Sequence, residues 1–192
     1  DVVSIDSWIL FNPIPCDSNF PCLDGGITVE FLGDNSNVGF QLYNCSVRNN
    51  YSSQGAGMSI ISDEVPYRLI IENVIFENNN SNNSSGGLFI GGIGASIFIQ
   101  GSQFINNSSM NFGGGAHIYE GEIKSFEQKV TVQKTVFSSN EIEFGFGGGL
   151  DILTYGPTEI QINIDSCTFF ENSAGFPAGD LNSGLGGGLS IR

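Results

Sequence analysis

The amino-acid sequence predicts an all-β chain wound as a right-handed parallel β-helix, a solenoid of about six coils. Three observations lead there. One short pattern returns in five copies roughly 30 residues apart, each copy alternates apolar and polar residues with period 2, and no stretch carries a capped 3.6-residue apolar stripe. A repeat of that length built from short strands cannot bury its own inner face. Successive coils must therefore stack and pair in parallel, ~4.8 Å apart. The right-handed sense follows from the twist preference of parallel crossovers.

Each copy is anchored by an apolar residue followed three positions later by asparagine: Val47/Asn50, Phe76/Asn79, Phe104/Asn107, Phe137/Asn140 and Phe169/Asn172, at spacings of 29, 28, 33 and 32 residues. Seven and five positions before each anchor sit the apolar pairs Phe40/Leu42, Leu69/Ile71, Ile97/Ile99, Val130/Val132 and Ile162/Ile164. After it comes a glycine cluster and a second alternating pair, as in Gly86-Gly87-Leu88-Phe89-Ile90 and Gly147-Gly148-Gly149-Leu150-Asp151-Ile152. These segments read as three short strands per coil. The interior is then a Phe stack, an aliphatic stack and an Asn ladder at one corner, its amides bonding along the axis. Glycine suits the tight corners because it takes positive φ without penalty.

Residues 40–192 make up five such coils, and residues 1–39 read as a divergent N-terminal capping coil. In that cap Gly25-Gly26-Ile27-Thr28-Val29 matches the glycine strand, while Ile9, with Asn12 three later, or Trp8 takes the Phe position. The last strand, ending at Ile191, has no cap, so further β-helix or another domain is expected beyond Arg192.

Composition limits what the chain can do. Its 192 residues are 40% apolar and 14% charged, which suits a packed fold and excludes a highly charged disordered chain. No run approaches the ~18 apolar residues of a transmembrane segment. Six Lys+Arg against 20 Asp+Glu give a net charge of −14, which excludes nucleic acid as a partner and opposes an anionic membrane.

Four cysteines are present. Cys16 and Cys22 flank Asp17-Ser18-Asn19-Phe20-Pro21, a loop short enough to close as a disulfide. Cys45 and Cys167 each stand two residues before an anchor, which puts them in one row four coil steps apart, roughly 19 Å. A disulfide needs Cα atoms within about 7 Å, so this pair is expected as buried thiols that do not bridge each other. Glycosylation sequons begin at Asn44, Asn50, Asn79, Asn82, Asn83, Asn106 and Asn107. With the local cysteine pair they point to a secreted or cell-surface protein. The opening Asp1-Val2-Val3-Ser4 has no basic start or long apolar stretch, so any secretion signal is expected to have been removed or to lie outside these residues. Ladder residues Asn50, Asn79 and Asn107 should point inward, leaving Asn82, Asn83, Asn44 and Asn106 as the glycan acceptors.

The paired elements Phe-x-x-Asn and Gly-Gly-Ala/Leu-x-Ile resemble the repeats of the chlamydial polymorphic outer-membrane proteins and related β-helical surface proteins. Phe104-Ile105-Asn106-Asn107 followed by Gly114-Gly115-Ala116-His117-Ile118 is the nearest single match. The resemblance spans about residues 40 to 192 and implies a β-helical passenger region associated with surface adhesion. The translocating β-barrel of that family is absent from these residues.

A β-helical fold does not by itself imply catalysis, which depends on the residues present. Polysaccharide lyases and glycosidases need an acidic cluster with a Lys or Arg beside the substrate carboxylate, and none of the six basic residues stands in such a motif. In the glycine strand the outward row reads Thr28, Ser59, Phe89, His117, Asp151, Ser190, which makes His117 and Asp151 neighbours. Ser190 completes no triad, because the carboxylate and not the imidazole would lie in the middle. His117–Asp151 is therefore expected as an exposed surface ion pair. A second outward row reads Gln41, Ile70, Phe98, Thr131, Asn163, and its apolar neighbours Ile70 and Phe98 either lie under a loop or form a contact patch. The acidic residues Asp63-Glu64, Glu120-Gly121-Glu122, Glu141, Glu143 and Asp180 are assigned to solvated loops. No cofactor is expected. Ca²⁺ is the ion such groups would take, but none has the spacing of a known calcium loop.

The function expected is a non-catalytic extracellular or cell-surface structural and interaction module, adhesin-like, that reads a protein or glycan ligand through the inserts Tyr119–Lys129, Leu153–Glu159 and Ala174–Leu185. The alternatives are a polysaccharide-acting enzyme, lyase or glycosidase, and part of a secreted toxin or defence protein.

Overall fold

A computed structural model describes residues 2–6, 9–10, 26–31, 38–62, 66–121, 128–155, 160–175 and 186–192. Trp8, Asn12, Cys16, Cys22, Asp63, Glu64, Glu122 and Asp180 lie outside the described residues, and so do most of the three inserts. Among the described residues there is no helix, and every strand pairs in parallel with its counterpart one coil away.

The chain is a parallel β-helix with four sheets rather than the three expected. The first sheet stacks Val2–Asp6, Val38–Tyr43, Tyr67–Glu72, Ala95–Gln100, Lys129–Gln133 and Gln161–Asp165. The second stacks Ile9–Leu10, Ser46–Arg48, Ile75–Glu77, Gln103–Ile105, Val136–Ser138 and Thr168–Phe170. The third stacks Tyr51–Gln54, Asn80–Ser84, Ser108–Ser109, Glu141–Ile142 and Ser173–Ala174, and the fourth Ile27–Phe31, Met58–Ser62, Leu88–Ile93, Ala116–Gly121, Leu150–Thr154 and Leu189–Ile191. Four coils, beginning at Val38, Tyr67, Ala95 and Lys129, run through all four sheets without a break, and one more at each end is described in part. About six coils thus becomes four full turns with partial ones at the ends.

The third sheet escaped sequence reading because its inward side chains are mostly hydroxyls. Ser52, Ser81 and Ser109 are buried there, each donating to a nearby backbone carbonyl: Gln54 O at 2.9 Å, Ser84 O at 3.1 Å and Phe112 O at 2.8 Å. A buried hydroxyl that is satisfied locally costs little, so the strand needs no apolar alternation.

In the second sheet, Val47, Phe76, Phe104, Phe137 and Phe169 stand in one inward row. Ring centroids are 4.8, 4.8 and 4.9 Å apart with interplanar angles of 7, 6 and 4°, so the parallel strand spacing itself sets the stacking. In the cap, Leu10 is in register with Val47, so the Phe position there belongs to neither Ile9 nor Trp8. Ile9 pairs with Ser46, one residue out of the inward row.

The Phe-x-x-Asn motif is a corner. The residue after the short strand is left-handed, with φ of 56° at Asn49, 55° at Asn78, 51° at Asn106, 54° at Ser139 and 52° at Glu171, and that turn swings the next asparagine inward. Asparagine tolerates this conformation better than most residues, which accounts for the Asn-Asn doublets. A second left-handed corner precedes the strand at Asn44, Asn73, Gly101, Lys134 and Ser166. Glycine serves the corner before the fourth sheet, as at Gly113, whose φ is 50° and where an added Cβ would come within 2.2 Å of Ala116 O. Corners are therefore shared among asparagine, glycine and serine, with Lys134 and Glu171 at one each, rather than left to glycine.

Cys45 and Cys167 belong to the row Cys45, Val74, Ser102, Thr135, Cys167, just after the second corner. Cys45 Sγ donates to Tyr43 O at 2.9 Å, Ser102 Oγ to Gln100 O at 3.1 Å and Thr135 Oγ1 to Gln133 O at 2.8 Å. The row takes small side chains, and where they are polar, thiol and hydroxyl both donate to a nearby carbonyl. Cys45 is buried as expected. Cys167 is only half-buried, which corrects the expectation, and it contacts Val132 O and Asp165 O at 3.4 Å; burial still pushes its thiol pKa up.

Candidate functional site

Register places His117, Asp151 and Ser190 side by side on the outward face of the fourth sheet. His117 Nδ1 lies 2.9 Å from Asp151 Oδ2, and Arg192 Nη2 lies 2.7 Å from the same oxygen. The pair is not an exposed surface ion pair: His117 is 4% and Asp151 0% exposed. Two phenylalanines outside the repeat pattern account for this. Phe112, five residues before His117, stacks on the imidazole at 5.2 Å, and Phe146, five before Asp151, lies 3.8 Å beneath the Arg192 guanidinium. Phe89 flanks the imidazole from the preceding coil at 5.7 Å.

Burial pushes the Asp151 carboxyl up, and the hydrogen bonds and charges of His117 and Arg192 more than offset it, leaving its pKa below the ordinary value. Its other oxygen, Oδ1, is buried without a partner among the described residues. The carboxylate stands between imidazole and serine, so no base is set against a nucleophile. The cluster is a packed charge cluster that ties three coils together.

Glu120 is not in a loop. It continues the inward alternation of Ala116 and Ile118, is 0% exposed, and accepts a hydrogen bond from Ala95 N at 3.1 Å through Oε2. Burial pushes its pKa up to about 8, against the lowering effect of backbone hydrogen bonds from Ala95 and Gly94. Glu120 Oε1, Gln128 Oε1 and Tyr67 Oη are buried and without partners among the described residues. Burial, and then the charge of Glu120, raise Tyr67 well above the usual phenol range.

Two concavities lie on outward faces. Over the third sheet, a groove of about 390 Å³ is lined by Tyr51, Asn80, Asn82, Ser108, Glu141 and Glu143 among others. On the first sheet, a cleft of about 280 Å³ involves Arg68, Ser96, Phe98, Lys129, Thr131 and Asn163. The predicted outward row is present there: Gln41, Ile70, Phe98, Thr131 and Asn163 pair in sequence, with Ile70 and Phe98 adjacent and half-buried.

Of the sequon asparagines, Asn50, Asn79 and Asn107 are buried in the ladder, and Asn44, Asn82, Asn83 and Asn106 are exposed. Among the described residues no group of three or more His, Cys, Asp or Glu side chains is placed to hold a metal ion. No helix of the described residues is long and apolar enough to cross a membrane. Comparison with known proteins finds no matching family model, no matching curated protein and no matching solved structure.

Proposed function

We propose that the chain is an extracellular or cell-surface structural and interaction module, adhesin-like and non-catalytic, that presents a rigid rod to a protein or glycan ligand. The carrying observation is the contrast between inward and outward rows. The main inward rows repeat one kind of residue from coil to coil, as in Val47, Phe76, Phe104, Phe137, Phe169. Outward rows vary in chemistry along the axis, as in Tyr51, Asn80, Ser108, Glu141, Ser173 along the third sheet. A scaffold that is uniform inside and variable outside carries its information on the surface. The likeness of the repeat to the chlamydial polymorphic outer-membrane proteins supports the same reading, and so do the exposed sequons at Asn44, Asn82, Asn83 and Asn106.

A polysaccharide-acting enzyme is the second reading, favoured by one observation: Glu141 and Glu143 both line the third-sheet groove. A paired carboxylate is the minimum for glycoside hydrolysis. The test is a protein and glycan binding screen of the chain run beside a depolymerisation assay with and without Ca²⁺. Saturable binding without turnover supports the module. Turnover lost in Glu141→Gln or Glu143→Gln establishes the enzyme instead.

A further inference from the structure

The first-sheet cleft runs against the charge of the rest of the molecule. In a chain of net charge −14, two of the six basic residues, Arg68 and Lys129, line one cleft of about 280 Å³ that has no carboxylate in its lining among the described residues. Register explains why they face a common space. Arg68 pairs with Ser96, and Ser96 pairs with Lys129, so the two cations occupy the same outward row on either side of a small residue. Their backbones are two strand spacings apart, roughly 10 Å, and Ser96 leaves the gap between them open. Both side chains belong to exposed residues, and neither has an ion pair among the described residues. Among the described residues, the carboxylates of this face are Glu72 and Asp165 at the far end of their strands, and Glu72 accepts a hydrogen bond from Gln100.

The next outward row supplies the rest of a recognition surface: the half-buried ring of Phe98 with the hydroxyl of Thr131 and the amide of Asn163 beyond it. We infer that this cleft binds an acidic saccharide, with its carboxylate or sulfate between Arg68 and Lys129 and a sugar face against Phe98. The inference rests on reading the chain as a binding module and names a ligand class for it. The match is chemical: an acidic sugar offers one localised anion, an apolar ring face and hydroxyl groups, and the cleft holds a partner for each. A broad polyanion fits poorly. Beyond a Debye length of about 8 Å the surrounding acidic surface is screened, but a polyanion lying across it would meet that surface at close range.

The test is titration calorimetry of the chain with three probes of equal length: a neutral oligosaccharide carrying a single galacturonate, its methyl ester, and the same oligosaccharide carrying a single sulfate instead. The expected result is binding of one or both acidic probes, weakened about tenfold or more by esterification and by Arg68→Gln or Lys129→Gln, as loss of a charge-assisted hydrogen bond requires. Ser96→Tyr, which fills the gap and leaves the charge unchanged, should abolish binding with an unaltered melting curve. The two acidic arms decide between carboxylate and sulfate as the recognised group. Equal binding of acid and ester, or acidic binding that survives the Arg68→Gln/Lys129→Gln double variant, overturns the inference. Binding of anionic phospholipid vesicles as tight as that of the sugars overturns it too. A different ligand whose binding survives the double variant removes this site and leaves the binding-module reading intact, whereas a chain that binds nothing in either screen loses both.

Discussion

Asn79 Oδ1 accepts two hydrogen bonds from Asn50, one from the backbone N at 3.1 Å and one from Nδ2 at 2.8 Å. Asn79 in turn donates N and Nδ2 to Asn107 Oδ1 at 3.1 and 2.9 Å, with a second Nδ2 bond to Val47 O at 2.9 Å. The pattern continues through Asn140 to Asn172, so the amide-to-amide bonds of the ladder point one way along the axis while each second Nδ2 bond reaches back to a carbonyl of the preceding coil. Asn107→Ala would strand two donors of Asn79 and free the carbonyl of Phe76, all buried. At ~1–3 kcal/mol for an orphaned buried group, the expected loss is about 3 kcal/mol in urea denaturation. Asn107→Asp, which keeps the acceptors and loses the donors, should cost at least as much at neutral pH because it also buries a charge.

Phe104 is fully buried and stacked on both sides by Phe76 and Phe137 at 4.8 Å. Phe104→Ala leaves a ring-sized void that parallel strands above and below cannot close. A loss of ~3–5 kcal/mol is expected from thermal or urea unfolding, and Phe104→Leu should recover more than half of it.

What could be read from the chain was whatever repeats inward at a fixed spacing. The Phe row and the Asn ladder are of that kind, since stacking forces like on like at every turn. The third sheet was illegible because Ser52, Ser81 and Ser109 face inward and satisfy themselves through carbonyls, which erases the apolar signal. The cover over His117 was missed because Phe112 and Phe146 stand outside the repeat, although their common five-residue offset from His117 and Asp151 was a usable sign. Glu120 reads as a loop residue in the sequence because carboxylates are ordinarily solvated. Extending the period of Ala116 and Ile118 by one step places it indoors.

Glu120 should make stability fall as pH rises. Its pKa is about 8 in the fold against an ordinary 4.5, so between those values the folded chain holds a proton that the unfolded chain releases. The contribution is complete below about pH 4.5 and is lost progressively up to about pH 8, at up to ~1.4 kcal/mol per pH unit. Glu120→Gln mimics the protonated form. The difference in unfolding free energy between the two proteins should be small at pH 4.5 and grow toward pH 8; a difference independent of pH would rule this out.

Asp151 should act in the opposite sense. Its pKa is lowered in the fold, so it contributes stability above the ordinary value of 3.8 that disappears as pH falls through the lowered one. Asp151→Asn removes that acid-limb dependence. It also leaves His117 and Arg192 without their shared carboxylate, for an expected cost near 3 kcal/mol at pH 7. Urea denaturation at pH 3 and pH 7 checks both, with the two proteins converging at the lower pH.

Glycan placement tests the inward ladder directly. In a secretory expression host every sequon is offered to the same transferase, but the folded coil allows sugar only where the amide reaches solvent. Asn50, Asn79 and Asn107 are 2%, 0% and 0% exposed, and the Asn79 and Asn107 amide nitrogens each donate two hydrogen bonds within the stack. Attachment at either nitrogen would remove at least one of those bonds and put a hydrophilic branch where the ladder runs. Asn44, Asn82, Asn83 and Asn106 are exposed, and Asn82 and Asn83 lie in the strand Asn80–Ser84 on the outer wall. Glycopeptide mass spectrometry should find sugar confined to those four positions. Occupancy of Asn79 or Asn107 in folded, secreted protein would mean that the ladder faces outward and the register is wrong. Sugar at Asn82 carries a further consequence, because that residue lines the third-sheet groove and a glycan there would close it to a ligand. Binding that appears only in Asn82→Gln or in enzymatically deglycosylated protein would place the ligand in that groove rather than on the first sheet.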